Sequence, residues 1–375
     1  MKKYFFTMMT TAMLFASCSS DDTVVPNNGT ENQEDLVEIK LGAGSRIGTS
    51  VAESRAAVDN WDNTPIGVYA LNQEKSWATD ANSTHIPFIS TVENAQGLVQ
   101  QDADNEKNAV DWEDGETRYY PRSGDDKFVF YGYHPYSSTT VPAFNQEGTQ
   151  LILTGATFDG VTDIMRGNSG ATGYNAKYFR ETTPTPENPD ITFNHLTTRF
   201  NIYIQAGENY ETEIDKCGIT SLTIEVPTTY DLIIAGKDAN EDEITDANAI
   251  SWGSVFEPKE MHWTVDMPQS GGYVLDDKTE GSSSATHIAE AMVQPGLGNR
   301  LEADGELAAD PYILKVTFSN GDDCTVNIVK GTSLANGFEM GKAYNITLTV
   351  HGPQEIAVTA TLTAWDTVNG PSFDI

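Results

Sequence analysis

Short stretches in which apolar and polar residues alternate recur along this chain from residue 36 to residue 364. In the first, Val37, Ile39 and Leu41 share one face, and Leu36, Glu38 and Lys40 share the other. Side chains of a strand point to opposite faces in turn, so a period of two marks β-structure. Residues 65–71, 127–133 and 150–153 are denser apolar runs of strand length. Phe200, Ile202 and Ile204 alternate with polar neighbours, as do Leu222, Ile224 and Val226. Residues 312–318 and the set Tyr344, Ile346, Leu348 and Val350 repeat the pattern. Clusters of Gly, Pro, Asn and Asp separate the runs, as turns require. Helical spacing is scarce, and only residues 104–110 and 286–292 are expected to hold a short helical turn each. The pattern predicts an all-β chain of two β-sandwich domains with minor short helices.

The chain opens differently. Lys2 and Lys3 precede an apolar stretch at 4–16, about half the length that a bilayer-spanning helix needs. Small residues follow it, as in a cleavable export signal. Leu14-Phe15-Ala16-Ser17-Cys18 resembles a bacterial lipobox, which implies an acylated Cys18 as the mature N-terminus. An ordinary secretory signal cut nearby is the alternative. Ser19-Ser20-Asp21-Asp22 resembles the acidic tag of outer-surface lipoproteins. The expected organisation is a signal peptide at 1–17, a polar tether at 18–35, an N-terminal domain at 36–190 and a C-terminal domain at 191–375. The boundary rests on residues 181–190, which hold three prolines and few apolar groups.

Composition narrows the function. The 375 residues carry 22 Lys+Arg against 55 Asp+Glu, a net charge of −33. Coulomb repulsion at that charge argues against nucleic acid and anionic membrane surfaces as partners. Cys18 is assigned to lipid. Cys217 and Cys324 sit in strand-like contexts, where they either pair or remain buried thiols. No Cys/His spacing fits zinc, so neither metal nor cofactor is expected.

Several phrases, in order, are similar to the fimbrillin family of the Bacteroidales. They are Ser54-Arg55-Ala56 with Trp61 and Ile66-Gly67-Val68-Tyr69, then Phe130-Tyr131-Gly132-Tyr133-His134-Pro135-Tyr136, then Thr162-Asp163-Ile164-Met165. Ile191-Thr192-Phe193-Asn194-His195-Leu196, Gly341-Lys342-Ala343-Tyr344-Asn345-Ile346 and Ala360-Thr361-Leu362-Thr363-Ala364-Trp365 complete the series. The resemblance implies two tandem transthyretin-like, Greek-key sandwiches and a non-enzymatic role as a subunit of an adhesive surface fimbria. It implies export as a lipoprotein to the outer membrane and cutting after an arginine by a trypsin-like protease. Loss of the first strand then opens a groove, which another subunit's strand fills by strand addition. Residues 36–43 would be the removable strand. Arg55 is the favoured cut and Arg46 the alternative, both beside small residues. Ile356, Val358, Ala360, Leu362 and Ala364 share one face of a threonine-rich run, which makes 354–365 the candidate donor strand. The implied partners are other fimbrial subunits and a host glycan or protein. The rival reading is a lipid-anchored surface protein that binds a glycan or host ligand, or a fimbrial anchor or tip.

Other chemistry is weaker. Gly337-Phe338-Glu339-Met340-Gly341-Lys342 lacks the spacing and following helix of a phosphate loop. Asp102, Asp104 and Glu106 lack the turn glycine and closing Glu of a calcium loop. Asp111, Glu113, Asp114 and Glu116 offer a surface cation site at most. The six histidines show no HxH or HExxH pairing, and His195 is expected to hydrogen-bond at the domain junction. No glycine pattern marks a catalytic serine.

Overall fold

The computed structural model describes residues 36–46, 63–78, 85–100, 108–122, 124–184, 186–207, 218–237, 242–268, 270–275, 285–297, 310–329, 337–352 and 355–363. The expected signal peptide, the tether, Cys18, Arg55, Cys217 and Ala364 lie outside them. The first nine strands are β1 (Leu41–Arg46), β2 (Thr64–Asn72), β3 (Ala95–Gln100), β4 (Asn108–Trp112), β5 (Phe128–His134), β6 (Ala143–Phe144), β7 (Gln150–Thr157), β8 (Met165–Asn168) and β9 (Asp190–His195). Next come β10 (Thr198–Ala206), β11 (Ile219–Pro227), β12 (Thr229–Gly236), β13 (Ile250–Trp252), β14 (Phe256–Glu260) and β15 (His262–Trp263). The last are β16 (Thr286–Val293), β17 (Tyr312–Phe318), β18 (Asp323–Ile328), β19 (Ala343–Gly352) and β20 (Glu355–Thr363). Two short helices, α1 (Ala176–Glu181) and α2 (Asp246–Ala249), interrupt the β-structure.

The N-terminal strands close into a barrel in the order β1-β4-β3-β2-β5-β8-β9. Closure comes from β1, which is antiparallel to β4 on one side and parallel to β9 on the other. The other strands form three sheets: β15-β16-β10-β19-β20, β14-β11-β17-β18 and β13-β12-β7-β6.

Two apolar cores share a wall. Ile66, Val68 and Ala70 of β2 and Phe128 and Phe130 of β5 point into the barrel core. The alternate residues Tyr69, Leu71 and Tyr133 point into the second core. Both faces of β2 and β5 are therefore covered, which is why these strands read as near-continuous apolar runs. The second core draws on Leu151, Leu153, Phe158 and Ile164 as well as on residues after 190. Phe193 lies along the barrel wall where Gly132 leaves room; a Cβ on Gly132 would stand 2.5 Å from its ring. At α1, the Asn175 side chain accepts the Tyr178 N–H at 2.8 Å. Tyr178 and Phe179 then pack against the barrel core.

Two local expectations are corrected. Residues 286–292 belong to β16, between β10 and β15, and residues 108–110 belong to β4. Residues 288–293 are buried without interruption. Burial on both faces removes the alternation that identifies a strand, so an Ala-rich run looks helical.

Buried polar groups are bonded beside and between the two cores. Arg166 of β8 gives its Nε–H to Asp246 at 2.9 Å and other N–H groups to the carbonyls of Ile233 and Ile244. His134 is fully enclosed and donates Nδ1–H to the Pro65 carbonyl at 2.9 Å. Burial holds the His134 and His287 imidazoles below their usual 6.5. The unfolded chain therefore takes up more protons than the native one as pH falls through 6.5, and stability declines with acidification. Denaturant titrations between pH 7.5 and 5 should show a loss of up to about 1.4 kcal/mol per pH unit for each histidine. His134→Gln should flatten that slope, and an unchanged slope would remove His134 from the account.

Candidate assembly site

The segment 37–46 is paired on one edge at residues 37–43 and on the other at residues 42–46. The Ile39 N–H reaches the Arg118 carbonyl at 2.8 Å, and the Tyr120 N–H reaches the Val37 carbonyl at 3.0 Å. Further along, Leu41, Gly42 and Ala43 oppose Val110, Ala109 and Asn108 of β4. On the other side Gly42, Ala43, Gly44, Ser45 and Arg46 run beside Asp190, Ile191, Thr192, Phe193 and Asn194 of β9. The alternation seen in the sequence maps onto this seat. Ile39, Leu41 and Ala43 are 1%, 5% and 1% exposed within the barrel core, and Val37 packs against it. Glu38 and Lys40 face solvent and pair with each other at 3.4 Å. Burying Ile39 and Leu41 stabilises the fold by roughly 1.5–3 kcal/mol each. Without this strand, β4 and β9 each lose a partner on one edge and the barrel core opens on that side. The seat is therefore a two-sided groove for one extended segment whose alternate side chains are apolar.

The opposite end of the chain has one-sided support. β20 pairs antiparallel with β19 from Glu355 opposite Gly352 to Thr363 opposite Ala343. It is the last strand of its sheet. Ile356 and Val358 are half-buried against the second core and Ala360 is buried, while Thr359 and Thr361 are exposed. Leu362 belongs to the strand by its backbone. Cys324 of β18 is a free thiol hydrogen-bonded to the Ile356 backbone.

Arg46 belongs to β1 by its backbone and stands opposite Asn194. Other candidates resolve into structural roles. His195 gives its Nδ1–H to Asp163, which also accepts the Thr197 hydroxyl. Asp114 is gripped by Arg118 through both carboxylate oxygens, at 3.0 and 2.8 Å, which holds its carboxyl below the usual range. Arg118 also stacks over Trp112, 4.3 Å from the ring centroid. The loop at 337–342 wraps the Tyr344 hydroxyl, which donates to the Gly337 carbonyl and accepts the Glu339 N–H. Asp102, Asp104 and Glu106 lie outside the described residues. Among those described, no three His, Cys, Asp or Glu side chains gather as metal ligands. Trp77, Trp112, Trp252 and Trp263 are half-buried against the cores. No described helix is long and apolar enough to cross a membrane. A cleft of about 430 Å³ lies beside Arg166, Asn168, Thr192, Gly236, Glu243 and Asp246. Arg166 is already engaged there by one carboxylate and two carbonyls. The second neighbour of β1, β9, was beyond sequence reasoning. Parallel pairing between residues 42 and 190 leaves no local signature.

Comparison with known proteins points to one family. The profile of the fimbrillin-like family matches residues 54–365. No curated protein matches. Among solved structures, the chain is similar to a candidate cell adhesion protein from Bacteroides uniformis, with 16% identity, 89% of this chain and 100% of that one covered, and a TM-score of 0.49. It is also similar to a candidate cell adhesion protein from Bacteroides ovatus, with 14% identity, 88% and 99% coverage, and a TM-score of 0.45. The tip fimbrial protein Mfa3 from Porphyromonas gingivalis is similar at 10% identity, with 88% and 100% coverage and a TM-score of 0.39.

The seat has a direct stability signature. Leu41→Ala should cost about 2–5 kcal/mol in urea denaturation, as for any buried leucine. Lys40→Ala, one residue away on the solvent face, should change stability by less than about 0.5 kcal/mol. Equal effects would place β1 outside the core.

Proposed function

The chain belongs to the fimbrillin-like family, a family of structural fimbrial and adhesion proteins, and on that premise we propose that it is a fimbrial subunit polymerised by exchange of β1 for a strand of another subunit. The carrying observation is the seat of β1: an N-terminal strand, buried on its apolar face and paired on both edges, that completes the barrel from a distance in sequence. In this reading the chain is exported through its signal peptide and acylated at Cys18. It reaches the outer membrane as a monomer with β1 in place. A trypsin-like protease then cuts the link between β1 and β2.

Arg55 suits the cut better than Arg46. A protease needs an extended backbone free of other pairing, whereas Arg46 is already in the ladder with β9. Cutting after either residue separates β1 from the rest of the chain. The family match begins at residue 54, beyond β1. Loss of β1 leaves two unpaired strand edges and an exposed apolar core, both of which favour capture of a replacement strand. β20 is the candidate donor. At present it has one ladder with β19; in the vacated seat it would have two. Backbone hydrogen bonds on both edges and apolar side chains in the barrel core would supply the affinity.

The test is limited trypsin digestion of the mature chain, followed by electrophoresis in SDS without heating. A ladder of multimers with an N-terminus at Ala56 is expected, and a variant lacking residues 355–375 should remain monomeric. Digestion that removes β1 and leaves only monomers would overturn the proposal. Multimers that form equally well without the C-terminal strand would remove β20 as donor.

A further inference from the structure

A polar cleft lies on the outer side of the barrel. Ile191 and Phe193 of β9 point into the barrel core, so Thr192 and Asn194 between and after them point away from it. Asn168 and Arg166 of β8 stand opposite those two residues and share their face. Residues 234–236 of β12 and 243–246 form the facing wall. The space between is about 430 Å³, a volume typical of small-molecule sites. We propose that this cleft binds a neutral mono- or disaccharide. The proposal is independent of strand exchange and needs only the intact chain.

The walls are fixed before any ligand arrives. Arg166 binds Asp246 and the carbonyls of Ile233 and Ile244, which ties β8 to β12 and to the start of α2. The Ile244 N–H reaches the Gly236 carbonyl at 3.1 Å, and the Asn168 amide donates to Glu243 at 3.3 Å. A site held in this way loses little freedom on binding. Inside the frame, neutral polar groups are left over. Among the described residues, the hydroxyls of Tyr131, Thr192 and Thr245 and the Asn194 amide have no hydrogen-bond partner. Burial, and after it the Glu243 charge, pushes the Tyr131 phenol up to about 12, so it remains a donor at neutral pH.

The chemistry of these groups selects the ligand class. Hydroxyls and amides both donate and accept, as the vicinal hydroxyls of a sugar do. One guanidinium stands among two carboxylates, and Asp246 already neutralises it. The second carboxylate, Glu243, repels phosphate, sulfate and sialate, and it can accept a charge-assisted bond from a neutral hydroxyl. Arg166 beside it disfavours a cationic amine. An apolar ligand would find little to cover, since Ile234 and Ala235 are already buried in the second core.

Ligand-observed NMR titration of the uncut mature chain tests the site. The probes are the methyl glycosides of glucose, galactose, mannose and N-acetylglucosamine, then lactose and cellobiose, with sialyllactose and spermidine as charged counterparts. At least one neutral sugar should bind saturably, with a Kd of about 1 mM or tighter. Thr192→Ala and Asn194→Ala should each weaken it about three- to tenfold, the effect of one lost hydrogen bond. Their urea midpoints should stay parental, because neither side chain has a bond within the fold to lose; a purely structural role would move the midpoint and spare the affinity. Thr245→Trp, which fills the cleft from an exposed position, should abolish binding, and Lys177→Ala on α1 should leave it unchanged. No saturable sugar binding, or binding that withstands Asn194→Ala and Thr245→Trp, would overturn the proposal. Tighter binding of sialyllactose or spermidine than of every neutral sugar would overturn it too. The titration involves no protease, so its outcome leaves the fimbrial reading where it stands.

Discussion

The barrel depends on a strand that none of its neighbours in sequence holds. β1 lies between β4 and β9, with residue 42 beside residues 109 and 190. Parallel strands cannot be joined by a tight hairpin, so the contact with β9 has to close a long loop. Such a strand behaves as a bound ligand whose tether happens to be covalent. Its two ladders and the burial of Ile39, Leu41 and Ala43 hold it, and a segment with the same pattern could use the same contacts. This double edge makes β1 the strand that closes the barrel.

β20 is held in the opposite way. Its partner β19 is adjacent in sequence, and the ladder between them is local. Local pairing forms readily, and among the described residues β20 has a ladder on one edge only. Exposed Thr359 and Thr361 keep the solvent face polar. The net charge of −33 works in the same direction, because like-charged copies repel. Assembly by the proposed strand exchange would need enough apolar burial and backbone pairing to outweigh that repulsion.

The two cores meet across groups that are costly to separate. β2 and β5 belong to both cores at once, and Arg166 spans from β8 to a carboxylate and two carbonyls on the other side. Removing one partner from such a buried, charged network leaves the others unsatisfied. Phe193 fills the space over Gly132, so the barrel wall beside β9 is closely packed. The seat is thus framed by strands that are themselves anchored.

Residue order alone was enough to read the class of fold and the apolar character of both strands of the candidate assembly site. Period-two alternation located Ile39 and Leu41 on one face and Ile356, Val358 and Ala360 on another, because side-chain direction in a strand follows directly from position. Dense apolar runs located β2 and β5. Residues 286–292 were illegible as a strand, since burial on both faces erases alternation. Three features emerged only from the folded chain: the closure of the N-terminal strands into a barrel, the parallel course of β9 beside β1, and the service of β2 and β5 to two cores. Those are pairings between residues far apart in the chain. A local pattern states which face of a strand is apolar; it carries no record of which distant backbone will satisfy its edges.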